Sequence, residues 1–219
     1  MNGAIAILAR APSSGGKSRL APHVPEPRLA SLRAALLADT LDVVFGFHGV
    51  DAFVFFTPEG GNREIAALTL RPLTLVAQRG DDLGARMLAA FHELIVSRGY
   101  RWSILVGSDV PLLTTEHVFE ATDTLRRNGG VVVGPADDGG YYLIGMTEIH
   151  ELLFDRIAWG SDSVLLDTLT RADRRGVEVR IIRGAYDIDT IEDLRRVEND
   201  LATEPPERAR HLRRWFAAS

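Results

Sequence analysis

The chain opens with an apolar run, Ala4-Ile5-Ala6-Ile7-Leu8-Ala9, that leads into the loop Arg10-Ala11-Pro12-Ser13-Ser14-Gly15-Gly16-Lys17-Ser18-Arg19-Leu20. A buried strand ending in such a loop offers backbone N–H groups and two cations, Lys17 and Arg19, to a phosphate. The residues after the loop constrain the fold more than the loop does. Pro22 lies five residues past Lys17, and Pro25 and Pro27 follow. Proline inside a helix costs about 3 kcal/mol, so no long helix starts at Lys17-Ser18.

Residues Ala11 to Ser18 fit a relaxed Walker A pattern. A P-loop, however, needs a glycine where Ala11 stands and a helix that begins inside the loop. Neither requirement is met, so a P-loop kinase or NTPase is a minor alternative. A non-catalytic nucleotide-binding module is another.

Downstream, strand-like and helix-like segments alternate. Strands are expected at 5–9, 51–57, 73–77, 102–106, 131–134, 141–145 and 177–182. Helices are expected at 27–45, 63–68, 83–98, 114–127, 161–175 and 190–200, from apolar spacing such as Leu29, Leu32, Leu36, Leu37, Leu41 and Val44. Continuous apolar strands alternating with helices predict a three-layer α/β/α sandwich with a mainly parallel sheet. The hairpin-like stretch Val131–Gly145 breaks the rhythm and makes the sheet mixed. One domain is expected over 1–203. Glu204-Pro205-Pro206 then marks a boundary before a basic tail or docking helix, 204–219.

Bulk properties exclude several classes. A net charge of −5 gives no basic field for nucleic acid. No cysteine is present, which removes disulfides and thiolate metal sites. No apolar run approaches the ~18 residues of a membrane span. A cytoplasmic protein is the expectation, and the oligomeric state is open.

Two acidic motifs carry chemistry. In Ile104-Leu105-Val106-Gly107-Ser108-Asp109-Val110-Pro111 an apolar strand delivers Asp109 at its C-terminal end, where open α/β sheets bind ligands. A carboxylate there holds Mg²⁺ or caps a turn equally well. In Tyr186-Asp187-Ile188-Asp189-Thr190, an extended chain points Asp187 and Asp189 the same way. They repel unless a cation holds them, or else Asp189 and Thr190 simply cap the next helix.

Gly16-Lys17-Ser18-Arg19-Leu20-Ala21-Pro22 and Asp187-Ile188-Asp189-Thr190-Ile191-Glu192-Asp193-Leu194 resemble segments of CMP-sugar synthetases and phospholactate guanylyltransferases. With Gly80–Met87, Gly134–Gly145 and Trp159–Asp162, the chain most resembles a bacterial family of glycosyltransferase-like, selenodomain-associated transferases. That family belongs to the nucleotide-diphospho-sugar transferase superfamily, with a GT-A-like fold.

The resemblance implies a transferase using a nucleotide or nucleotide-sugar donor, a small-molecule acceptor and Mg²⁺ or Mn²⁺. Glycosyl transfer heads the reading, and nucleotidyl transfer with diphosphate release is the alternative. Asp109, Asp187 and Asp189 would hold the metal, and Lys17, Arg19 and Asp109 would be catalytic. Leu8, Ala9, Arg10, Gly16, Lys17, Gln78, Gly80 and Asp81 would bind the nucleotide. Asp138, Gly139, Gly140, Tyr141, Trp159 and Asp162 would bind the acceptor. One departure stands out: glycosyltransferases of this kind carry Asp-x-Asp after the fourth strand, whereas this chain has Ser108-Asp109-Val110. Gly139-Gly140 and Ser161 also have plain structural uses, as a tight turn and a helix cap.

Overall fold

Every residue of β1 (Ala4–Arg10) from Ala4 to Ile7 is fully buried, because successive side chains enter two different cores. The computed structural model describes residues 2–218. β1 lies inside a seven-stranded sheet with β2 (Asp51–Thr57), β3 (Leu75–Ala77), β4 (Ser103–Gly107), β5 (Val131–Pro135), β6 (Tyr141–Met146) and β7 (Val179–Ile181). The order is β3-β2-β1-β4-β6-β5-β7. β6 runs antiparallel to β4 and β5, and the other pairs are parallel. The sheet is therefore mixed, and the 131–145 hairpin supplies its reversed strand.

Ile5, Ile7, Val54, Phe56, Ile104 and Val106 form one core with α1 (Glu26–Gly46), α2 (Asn62–Ala66) and α4 (Thr115–Asn128). Ala4, Ala6, Phe53, Phe55 and Leu105 form the other with α3 (Leu83–Phe91) and α5 (Val164–Arg174). This is the three-layer α/β/α arrangement. α3 continues through a wider-turned segment, His92–Ser97, so the helical run expected to Arg98 is present with a change of pitch.

α1 is covered on a second side. Leu29, Leu32 and Leu36 pack with Leu194, Val197 and Leu201 of α6 (Ile191–Thr203) and with Leu212 and Trp215 of α7 (Arg210–Ala217). A helix with apolar residues around most of its girth needs such cover on both sides. Residues 18–23 are turns and α1 begins only at Glu26, so no helix starts at Lys17. α6 opens with a capping box at Thr190: Asp193 N donates to Thr190 Oγ1, and Asp193 Oδ2 accepts from Thr190 N.

Candidate active site

β1 pairs with β4 only as far as Leu8 and Gly107, whereas along β2 it continues to Arg10 opposite Thr57. Beyond Leu8, β1 therefore has no strand beside it on the β4 side. A crevice opens there, at the C-terminal ends of parallel strands, where α/β sheets bind ligands. A cavity of about 410 Å³ fills it. Its walls include Leu8, Ala9, Arg10 and Gln78, then Gly15, Gly16, Lys17, Asp109 and Asp187, then Leu83, Met87, Tyr141 and Trp159.

The loop after β1 is built to present N–H groups. Gly15, Gly16 and Lys17 all have positive φ, +84°, +114° and +58°. Among the described residues, no acceptor meets the N–H groups of Gly15, Gly16, Lys17, Ser18 or Arg19. Consecutive free N–H groups in such a run make a concave anion nest. Side chains from both flanking helices hold it in shape. Arg33 Nε donates to the Pro12 carbonyl at 2.7 Å and Nη1 to the Gly16 carbonyl at 3.0 Å, while Nη2 pairs with Glu26. Ser13 donates to Glu64 from its N at 2.8 Å and from its Oγ at 2.6 Å.

Lys17 turns its buried side chain toward the carboxylates. Its Nζ donates to the Ile188 carbonyl at 2.6 Å and to Asp109 Oδ2 at 3.1 Å, and lies 3.6 Å from Asp189 Oδ1. One ammonium thus gathers Asp109 from the end of β4 and Asp189 from the approach to α6. Asp187 lines the cavity beside them. Burial, then the charges of Asp189 and Asp138, push its carboxyl up to about 6. Among the described residues, the one group of three metal-capable side chains within 4.8 Å is elsewhere: Asp39, Asp42 and His211. Its atoms serve the fold, since Asp39 accepts the His211 and Leu212 N–H groups at 2.9 Å and Asp42 binds Arg210.

The remaining expected site residues divide. Asp138, Gly140, Tyr141 and Trp159 line the cavity, whereas Gly80, Asp81, Gly139, Asp162, Asp189 and Arg19 do not. Gly139 meets Asp162 directly: a Cβ on Gly139 would lie 2.1 Å from the Asp162 carbonyl oxygen. That contact joins the two loops behind Tyr141 and Trp159. Gly80 has φ +126° and abuts the backbone of Ala85, so it shapes the start of α3. Gln78 donates its amide nitrogen to the carbonyls of Ala9 at 3.1 Å and Phe55 at 2.7 Å. Both hydrogens are thereby spent on the protein, which leaves Oε1 for a ligand.

Of the four cationic residues lining the cavity, two escaped the sequence reading, Arg33 and Arg86. Each had a signal. Arg33 interrupts the buried stripe Leu29, Leu32, Leu36 and Leu37, and Arg86 lies between Leu83 and Met87 on one helical face.

The seven-stranded mixed sheet with helices on both faces matches the fold of a nucleotide-diphospho-sugar transferase structure. The chain belongs to the family described as an uncharacterized protein conserved in bacteria (DUF2064), whose model matches residues 40–161, more than half of its length. It superposes on the crystal structure of a provisionally assigned nucleotide-diphospho-sugar transferase from Desulfovibrio desulfuricans G20, with TM-score 0.88 and 28% identity over 96% of this chain and 92% of that one. It also resembles a CMP:2-keto-3-deoxy-manno-octonic acid synthetase complexed with CTP, with TM-score 0.59 and 14% identity over 94% of this chain and 100% of that one. A cytidylyltransferase from Leptospira borgpetersenii gives TM-score 0.57 and 16% identity over 94% and 88%. These last two likenesses are of fold alone. No curated protein matches the chain in sequence. No described helix is long and apolar enough to cross a membrane.

Proposed function

We propose that this chain is a metal-dependent transferase that takes a nucleotide-activated donor and moves its glycosyl group to a small-molecule acceptor. One observation carries the reading: the free N–H groups of Gly15–Arg19 lie on the same loop as Lys17, at the mouth of the β1–β4 crevice. That arrangement suits a diphosphate, whose charge needs several preorganised donors. The whole-length likeness to a structure assigned as a nucleotide-diphospho-sugar transferase supports a sugar-nucleotide donor.

In this reading Leu8, Ala9, Arg10 and Gln78 take the nucleoside end. Gly16 and Lys17 take the phosphates. Asp138, Gly140, Tyr141 and Trp159 face the acceptor. Mg²⁺ or Mn²⁺ would be held by Asp109, Asp187 and Asp189, an all-oxygen donor set of the kind hard cations take. The charge balance fits: Lys17 is one cation against these three carboxylates, and Asp187 is held protonation-prone by burial and by its neighbours. When bound, the metal supplies charge neutralisation at the diphosphate. The protein's own part is stabilisation of the leaving group by the nest and by the Lys17 ammonium. Removing one such contact typically costs about 3–4 kcal/mol at the transition state.

A second reading is nucleotidyl transfer. The single carboxylate in Ser108-Asp109-Val110, in place of Asp-x-Asp, favours it. The products decide between the two. With nucleotide sugars or nucleoside triphosphates and Mg²⁺, release of nucleoside diphosphate marks glycosyl transfer and release of diphosphate marks nucleotidyl transfer. A protein that binds these ligands without turnover is a binding module. One whose melting temperature no nucleotide raises, with or without metal, does not use them.

A further inference from the structure

Four cationic side chains line the cavity: Arg10, Lys17, Arg33 and Arg86. Lys17 is committed to Ile188, Asp109 and Asp189, and Arg33 to Pro12, Gly16 and Glu26. Arg10 ends β1 and is exposed. Arg86 differs from all three. It is half-buried, and its Nε donates to the Gly80 carbonyl at 3.0 Å. Among the described residues, neither terminal nitrogen has an acceptor, and no carboxylate lies within ion-pair distance. Asp82, four residues earlier, is occupied in capping α3 through the Ala85 N–H at 2.7 Å.

Apolar side chains share this stretch of the cavity wall with Arg86. Leu83 and Met87 flank Arg86 on the cavity face of α3. Trp159 covers Gly84 so closely that a Cβ there would lie 2.5 Å from the indole, and its ring meets Tyr141 edge-on at 6.4 Å between centroids. The Nε bond to Gly80 fixes the guanidinium plane and leaves a two-nitrogen fork, which matches a carboxylate or phosphate bidentately. The donor's diphosphate already has the free N–H groups of the nest.

We infer that the acceptor is a molecule with an apolar or aromatic body and one oxyanion, read by the free fork of Arg86 against the Leu83–Met87–Trp159 wall. This rests on the donor reading above. It names the chemical class of the second substrate.

The test uses the full chain saturated with a nucleoside diphosphate and Mg²⁺, titrated with phenyl phosphate, benzoate or benzyl alcohol by calorimetry. At least one anionic probe should bind about tenfold or more tightly than benzyl alcohol, the scale of one charge-assisted pair. The tighter anion tells whether the oxyanion is a phosphate or a carboxylate. Arg86→Gln should remove that preference, Arg86→Lys should keep part of it, and both should leave nucleoside diphosphate affinity unchanged. Equal binding of all three probes by the wild type overturns the assignment of Arg86. So does loss of nucleoside diphosphate affinity in Arg86→Gln, since the fork would then serve the donor. A wild type that binds no nucleoside diphosphate overturns the donor reading itself, and this inference with it.

Discussion

Lys17 Nζ lies 3.1 Å from Asp109 Oδ2, which ties the loop after β1 to the loop after β4 through a nearly buried ammonium. Lys17→Met deletes the cation and keeps most of the volume. With a verified donor, kcat should fall about 10²–10³-fold, with a smaller change in donor affinity. The variant also leaves Asp109, Asp187 and Asp189 without their internal counter-ion. Its melting temperature should therefore rise more on adding Mg²⁺ than the wild type's does. Wild-type kinetics in the variant would remove this loop from the mechanism.

Arg33 links α1 to the loop that carries the nest, through the Pro12 and Gly16 carbonyls. Arg33→Ala should cost about 1–3 kcal/mol of stability, since the buried Pro12 carbonyl and the part-buried Gly16 carbonyl lose their donor. Donor affinity should fall further than that loss explains, because the nest loses its shape. Calorimetry with a nucleoside diphosphate, at a temperature where the variant is fully folded, separates the two effects.

Gly139 and Gly160 offer a matched pair. Both have positive φ, +87° and +86°. A Cβ on Gly139 collides with the Asp162 backbone, whereas one on Gly160 meets nothing within 4 Å. Gly160→Ala should cost about 1 kcal/mol from backbone strain alone. Gly139→Ala should cost clearly more, since strain and collision add and the two loops behind the acceptor wall must part. Urea denaturation of both variants measures the difference.

His117 closes the capping box of α4, where its Nδ1 accepts the Thr114 N–H at 3.2 Å. Burial first, and then the Arg183 charge, lower its pKa below 6.5, while Glu116 and Glu120 oppose them. The folded pKa is therefore below the unfolded one. Its contribution is complete above about pH 6.5 and falls as pH drops through that value, because the unfolded chain takes up the proton first. The loss levels off below the folded pKa. Urea midpoints between pH 7.5 and 5 should fall less in His117→Asn than in the wild type.

The tail 204–219 carries Leu212 and Trp215, which pack with Leu29 and Leu32 of α1. Asp39 on α1 receives the first free N–H groups of α7. Cutting the chain after Thr203 should lower the melting temperature by several degrees, or leave the protein insoluble, since α1 loses part of its outer cover. An unchanged melting temperature would make the tail a true appendage.

Much of the fold was legible in sequence because its signals are local. Pro22, Pro25 and Pro27 forbid a helix at Lys17 whatever the rest of the chain does. The continuous apolar strands record burial on both faces, and the Thr190 and Asp193 pair marks the start of α6. Asp109 and the Asp187–Asp189 pair stood out because a carboxylate directly after or before a regular element is visible in one dimension.

What the sequence determined by itself is the order of elements, the mixed α/β class and the residues that close each element. Tertiary structure decided which of those residues meet. Lys17 reaches Asp109 and Ile188 across 92 and 171 residues of chain. Arg33 is committed to the nest, while Arg86 keeps its fork open. Gly139 and Asp162 face each other, and Arg19 stays outside the cavity. A side chain's partners depend on the packing of distant segments, and propensity and spacing carry no record of that packing.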